Sequence, residues 1–98
     1  MNINKQKDGT TLTVALEGRL DTTTAPAFEA ETKADIDGVE NLIIDMSKLE
    51  YLSSAGLRVL LSLEKIMKKQ GKMVVRNVND IITEVFEATG FNDILTIE

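Results

Sequence analysis

Two adjacent serines, Ser53 and Ser54, are the side chains in this chain that are best placed for chemistry. They follow an apolar strand ending at Asp45 and precede a long amphipathic stretch, so a helix is predicted to begin at them. A serine at a helix start can cap the helix, which stabilises it by about 1 kcal/mol. Such a serine can also carry a phosphate, because the free N–H groups and partial positive charge there tolerate an anion. Both interpretations stay open on this pattern alone.

A glycine and two aspartates accompany the serines. Gly56 lies in the first turn of the predicted helix, where glycine costs about 1 kcal/mol relative to alanine. Either a partner approaches this backbone closely, or the glycine lets the helix lie against the sheet. Asp21 and Asp45 each follow a predicted strand, and the C-terminal ends of parallel strands meet at the sheet edge where sites form. We expect both carboxylates at that edge, with a purely structural role in a turn as the alternative.

The predicted helix from Ser54 to Gln70 has two apolar arcs. Leu57 and Leu61 share one arc with Glu64 and Lys68, an i,i+4 ion pair that we expect to be solvated. If the two leucines are exposed, they form a docking patch beside the serines; otherwise a neighbouring helix covers them. The other arc should face the core and contains Val59, Leu60, Leu63, Ile66 and Met67.

The composition excludes several classes of function. The 98 residues include no Cys and no His, which excludes disulfides, thiolate metal sites, cysteine nucleophiles and histidine bases. The net charge of −5 argues against nucleic acid and against an anionic membrane as partners. Neither metal-ligand spacing nor a phosphate-binding glycine motif is present, so we expect no metal and no cofactor. With no signal peptide and no long apolar run, we expect a cytoplasmic protein.

The elements that must position these residues alternate along the chain. An Asp8-Gly9 turn predicts an opening hairpin between strands at 2–7 and 11–17. Further strands are predicted at 41–45, 72–76 and 95–97, the first two of them buried on both faces. Helices are predicted from the first turn at Pro26 to about Asp35, at 54–70 and at 79–89, with Gly71 and Gly90 as left-handed C′ residues of the last two.

This order predicts the fold class. Helical crossovers between strands imply right-handed connections and a mostly parallel sheet. We therefore expect an α/β fold whose mixed, mostly parallel five-stranded sheet has an antiparallel N-terminal edge hairpin and is packed with three to four helices. A chain of 98 residues has room for one core, so residues 1–98 are expected to form a single domain.

The segment DMSKLEYLSSAGL at 45–57, with GRLD at 18–21 upstream and the amphipathic helix downstream, resembles the STAS family. The similarity is to its single-domain bacterial members, the anti-sigma factor antagonists, and covers nearly the whole chain. In that family the phosphorylated serine lies two residues before the motif glycine, which assigns this role to Ser54 and leaves Ser53 as second candidate. Ser53 replaces an Asp, and Ala55 replaces a Ser or Thr, that are frequent in the family. Asp21 and Asp45 match the acidic positions of the two strand ends.

The resemblance implies a phosphorylation-switched binding module rather than an enzyme. The unphosphorylated protein would bind an anti-sigma factor that is also a serine kinase and so release a sigma factor. Phosphorylation at Ser54 would end the interaction, a serine phosphatase would restore it, and the catalytic groups and Mg-ATP would belong to the partner. The implied contact residues are Asp21, Thr22, Leu52, Ser53, Ser54, Ala55, Gly56, Leu57, Arg58 and Leu61, with Asp45 in support.

Two other functions are compatible with parts of this pattern. A non-switching STAS subunit could dock on a transporter or ATPase complex, and its serine would then be a helix cap only. A small enzyme or a nucleotide-binding domain is disfavoured by the absence of His, Cys and a phosphate-binding loop.

Overall fold

A five-stranded sheet in the order β1-β2-β3-β4-β5 organises the computed structural model, which describes all residues, 1–98. The β1–β2 pair is antiparallel and every other pair is parallel, so the predicted fold class is confirmed. None of the helices has the length and apolar character needed to cross a membrane. The strands are β1 (Asn2–Asp8), β2 (Thr11–Leu20), β3 (Asn41–Leu52), β4 (Lys72–Arg76) and β5 (Thr96–Ile97), and the helices are α1 (Ala25–Ala34), α2 (Ser54–Met67) and α3 (Asp80–Thr89), followed by a 3₁₀ turn at Phe91–Asp93.

All three helices pack on one face of the sheet. Each helix connects a parallel strand to its next neighbour in the same direction, and right-handed crossovers then place every helix on the same side. The prediction of strands buried on both faces is therefore wrong for β3, where Leu42 and Ile44 are buried but Ile43 and Asp45 are only half-buried. The same prediction is correct for the middle of β4, because Val74, on the face of the sheet that carries no helix, is only 5% exposed.

The third strand is much longer than predicted. It continues past the predicted end at Asp45 and pairs with β2 as far as Leu20 and Leu52. Two register shifts, between Ala15 and Glu17 and between Gly18 and Arg19, leave two extra residues in β3. The buried positions after Met46 consequently recur every third residue instead of every second, so the usual strand pattern is hidden in the sequence.

Two predicted turns lie at different residues in the structure. The hairpin loop is Gly9-Thr10, one residue later than predicted, since Asp8 and Thr11 are already paired. Helix α2 ends at Met67 instead of Gln70, and Gly71 does not adopt a positive φ, so it is not a left-handed C′ residue. Gly90 does take that role after α3, with φ of 77°.

The arc of α2 that contains Leu57, Leu61 and Glu64 is covered. Helix α1 packs beside α2, and Leu57 is 6% exposed while Leu61 is half-buried. Glu64 on the same arc is also only 6% exposed, which contradicts the expectation of a solvated pair with Lys68. Burial raises the pKa of the Glu64 carboxyl, and the positive charge of Lys68 opposes this only in part. The helical wheel placed these residues correctly on one arc but contained no information about the neighbouring helix.

Replacing Glu64 with Gln is expected to increase the free energy of unfolding at neutral pH. Because the folded pKa of Glu64 lies above its ordinary value of 4.5, ionisation opposes folding at every pH above the folded pKa. As the pH falls through the folded pKa the wild type recovers this stability, and the two proteins converge below about pH 4.5. Urea unfolding of both proteins between pH 4 and 8 measures the difference. The matched control is Glu84→Gln on the exposed side of α3, and equal gains in both variants would contradict a burial effect.

Candidate functional site

The two serines lie where β3 passes into α2, at the C-terminal edge of the sheet. Ser53 is extended, with φ of −96° and ψ of 174°, and occupies the N-cap position. Its backbone N–H donates to the carbonyl of Leu20 at 2.9 Å, which ties this junction to the end of β2. Ser54 is the first helical residue and is exposed.

Neither serine side chain caps the helix. The Oγ of Ser53 occupies the cap position but is shielded from solvent and has no hydrogen-bond partner. Ser54 is already inside the helix, and its hydroxyl makes no hydrogen bond within the protein. The capping interpretation is therefore wrong for both residues, and the Ser54 hydroxyl is left free for chemistry with another molecule.

The backbone around Ser54 provides an electropositive environment. The first amide with a partner inside α2 is that of Leu57, which donates to the carbonyl of Ser53 at 3.0 Å. The amides of the three residues before it have no intrahelical acceptor, and they carry the partial positive charge of the helix start. The exposed guanidinium of Arg58 lies one turn further along α2. These amides and Arg58 would favour a phosphate on Ser54 in the isolated protein.

Asp21 shares this edge of the sheet with the serines, as predicted. It directly follows Leu20, whose carbonyl binds Ser53, and it organises the turn that leads into α1. Its Oδ1 accepts hydrogen bonds from the N–H of Thr23 at 3.0 Å and from the hydroxyl of Thr23 at 2.7 Å, and the N–H of Thr24 adds a third at 3.2 Å. These bonds, led by that of the Thr23 hydroxyl, lower the pKa of Asp21, so the site contains a fixed negative charge.

Asp45 does not lie at this edge, contrary to the prediction. It lies level with Arg76 at the end of β4, whereas β3 continues to Leu52. Its Oδ1 accepts the N–H of Ser47 at 2.9 Å and the side-chain amide of Asn77 at 3.2 Å, and the Ser47 bond is the main reason that its pKa is lowered. Asp45 thus stabilises the irregular part of β3 that carries the chain toward the serines.

Glycine is required at position 56 because this side of α2 packs directly against the sheet. A Cβ at this position would lie 2.7 Å from Leu20 Cγ and 2.7 Å from Leu52 Cδ1. The helix start can therefore approach the ends of β2 and β3 only without a side chain here. Of the two explanations left open by the sequence, the structure supports contact with the sheet.

Replacing Gly56 with Ala is expected to destabilise the protein by about 1–3 kcal/mol, the usual cost of overpacking a core. Helix propensity alone predicts the opposite sign, a gain of about 1 kcal/mol. Chemical denaturation distinguishes the two, with Ser54→Ala in the same turn as a control that should leave stability nearly unchanged. A more stable Gly56→Ala protein would show that the two leucines move aside without cost.

The predicted contact residues divide by exposure. Thr22, Ser54 and Arg58 are exposed, and Asp21, Ser53, Ala55 and Leu61 are half-buried. Leu52, Gly56 and Leu57 are buried beneath this surface, so they shape it without offering area to a partner. Of the two alternatives for Leu57 and Leu61, the structure supports the covered arc, and the accessible surface is mainly polar.

Sequence reasoning did not find two residues next to this surface. Arg19 and Tyr51 are register partners on β2 and β3, and the Arg19 Cζ lies 4.2 Å from the centroid of the Tyr51 ring. Both residues lie within the motifs quoted above, but their pairing depends on the second register shift in β3 and has no separate sequence signal.

Comparisons with known proteins agree with this architecture. The STAS domain family model matches residues 2–98. A Bordetella bronchiseptica protein named as a candidate anti-sigma factor antagonist, BtrV, is 34% identical over 99 residues, covering 99% of this chain and 85% of that protein. The Bacillus subtilis anti-sigma-B factor antagonist is 26% identical over 98 residues, covering 99% of this chain and 90% of its own length. The crystal structure of an anti-sigma factor antagonist from Mycobacterium paratuberculosis matches with a TM-score of 0.89 at 25% identity, over 98% of this chain and 83% of that one. Since the family match spans almost every residue, this protein belongs to the STAS domain family.

Proposed function

We propose that residues 1–98 act as a single-domain anti-sigma factor antagonist that is switched by phosphorylation at Ser54. In its unphosphorylated form the protein binds an anti-sigma factor that is also a serine kinase, and this frees a sigma factor. The observation that carries the proposal is the exposed, unbonded hydroxyl of Ser54 at the first residue of α2 in a STAS domain.

In this scheme the protein is a substrate and a binding partner, and the kinase is the enzyme. The Ser54 Oγ attacks the γ-phosphorus of ATP, an Oγ–P bond forms, and the bond between that phosphorus and the oxygen of ADP breaks. The hydroxyl proton passes to a base on the kinase. A serine phosphatase restores the hydroxyl by hydrolysis, in which water attacks phosphorus, the Oγ–P bond breaks and inorganic phosphate leaves. ATP and the transcription machinery place the scheme in the cytoplasm.

The accessible surface explains how one phosphate can reverse binding. A partner that covers the start of α2 must lie directly on Ser54 and on the half-buried side chains of Ser53 and Ala55. A phosphate adds about −1.5 to −2 charge at this point, and burying that charge without a matched cation is costly. The folded antagonist itself gains from the phosphate through the free amides of the helix start. The switch therefore needs no rearrangement of the fold.

The experiment that tests this function is phosphorylation by the anti-sigma factor kinase encoded in the same genome, measured by intact mass. The wild type should gain one phosphate from ATP, and Ser54→Ala should gain none while still binding the kinase. Ser53→Ala and Ser62→Ala are matched controls that should be phosphorylated normally. If Ser53→Ala is the only variant that gains no phosphate, the phosphorylation site is Ser53 and not Ser54. No phosphate on any of the proteins would favour a non-switching docking subunit instead.

A further inference from the structure

An arginine and a tyrosine form a stacked pair beside the proposed phosphorylation site. Arg19 and Tyr51 alternate with the buried Leu20 and Leu52 at the ends of β2 and β3, so both project from the face of the sheet that carries no helix. The pair adjoins the site through the backbone, because the Leu20 carbonyl accepts the N–H of Ser53.

The guanidinium of Arg19 is held in place but its donors are unused. Its side chain is 61% exposed, and its Nε forms an ion pair with Asp21 at 3.7 Å from Oδ2, a distance too long for a hydrogen bond. The Asp21 carboxylate accepts its hydrogen bonds from Thr23 and Thr24 through Oδ1, and it accepts none from Arg19. Arg76, by comparison, donates to a carboxylate oxygen of Glu98 at 3.0 Å. Arg19 thus offers a positioned fork of N–H groups to another molecule.

We propose that Arg19 and Tyr51 form a second contact with the partner and receive a carboxylate side chain from the protein that covers Ser54. This inference rests on the proposed function. A planar guanidinium binds a carboxylate through two parallel hydrogen bonds, and stacking on Tyr51 fixes the plane of the fork before the partner arrives. Arg and Tyr are also among the residue types that most often dominate binding at protein interfaces.

The geometry favours a carboxylate of the partner over the phosphate of Ser54 itself. Ser54 begins α2 and so lies on the helix-covered side of the sheet edge, whereas Arg19 and Tyr51 project from the bare side. A partner that contacts both must therefore cross the edge formed by the ends of β2 and β3. The second contact would fix the orientation of the partner and select between partners that differ in one acidic residue.

Titration calorimetry with the purified kinase of the preceding experiment tests the inference. Arg19→Ala and Tyr51→Ala are each expected to weaken binding of the unphosphorylated protein by at least tenfold. Arg19→Lys keeps the charge but loses the fork and should recover only part of the affinity, while Tyr51→Phe keeps the ring and should bind like the wild type. Arg76→Ala is the matched control on the same face and should bind normally. The thermal unfolding midpoints of the Arg19 and Tyr51 variants should stay close to that of the wild type.

Three results would overturn the inference. If Arg19→Ala binds like the wild type while Ser54 is still phosphorylated, the pair makes no contact with the partner and the proposed function stands. If Arg19→Ala binds normally in the unphosphorylated form but no longer dissociates after phosphorylation, the guanidinium acts on the phosphate of its own chain. If the wild type neither binds the kinase nor accepts phosphate, the proposed function and this inference fail together.

Discussion

Phosphorylation of Ser54 is expected to weaken binding of the anti-sigma factor at least about 100-fold, which corresponds to about 2.7 kcal/mol. The thermal midpoint of the isolated protein is expected to stay the same or rise. The phosphate weakens binding but does not weaken the fold, because its charge has a different environment in the complex and in the free protein. In the free protein the phosphate lies in water beside the unpaired amides at the start of α2, whereas in the complex it would be forced against a protein surface.

The measurement compares phosphorylated and unphosphorylated protein in calorimetric titrations with the anti-sigma factor and in thermal unfolding. Ser54→Glu should weaken binding less than the phosphate, because one carboxylate carries less charge and fewer acceptor oxygens. Ser54→Ala should bind like the unphosphorylated wild type. A phosphorylated protein that binds equally well, or one that unfolds many degrees earlier, would show that the switch does not work through a local charge at the interface.

Much of the fold can be predicted because the elements are separated by clear signals. The alternation of apolar and polar residues from Leu12 to Leu16 is typical of a half-buried strand, and the helical spacing after Ser54 is typical of an amphipathic helix such as α2. The order of elements with helical crossovers then left few topologies, and the predicted one is observed. The length of β3 could not be predicted, because each of its extra residues shifts the inward-facing positions and destroys the alternation on which the prediction depends.

Predictions that depend on contact between two elements of the fold were less successful. A helical wheel places Leu57 and Glu64 on one arc, but only the position of α1 decides that this arc is buried. The same limit applies to the site. The sequence locates the two serines at a helix start, but the stacking of Arg19 on Tyr51 follows from a register that the sequence does not reveal.

The two glycines that follow α2 and α3 illustrate this difference and are expected to respond very differently to substitution. Both were predicted to be left-handed C′ residues, and only Gly90 has that conformation. At Gly71 the constraint is space, since a Cβ would lie 1.9 Å from the carbonyl oxygen of Glu40 and 2.6 Å from its carbonyl carbon. The neighbouring Lys72 N–H donates to that same oxygen at 2.9 Å, so the chain enters β4 directly against the residue before β3.

Gly71→Ala is therefore expected to lower the free energy of unfolding by more than about 3 kcal/mol, because backbone atoms must move and the β3–β4 pairing with them. Gly90→Ala has open space around its Cβ and should cost only about 1–2 kcal/mol for the left-handed conformation. Asn distinguishes the two causes, because it accepts the left-handed conformation but needs more space than Ala. Gly90→Asn should recover part of the loss and Gly71→Asn should recover none, as measured by urea unfolding of the four variants. Equal costs at the two positions, or rescue by Asn at Gly71, would mean that backbone conformation and not the contact with Glu40 sets the requirement for glycine there.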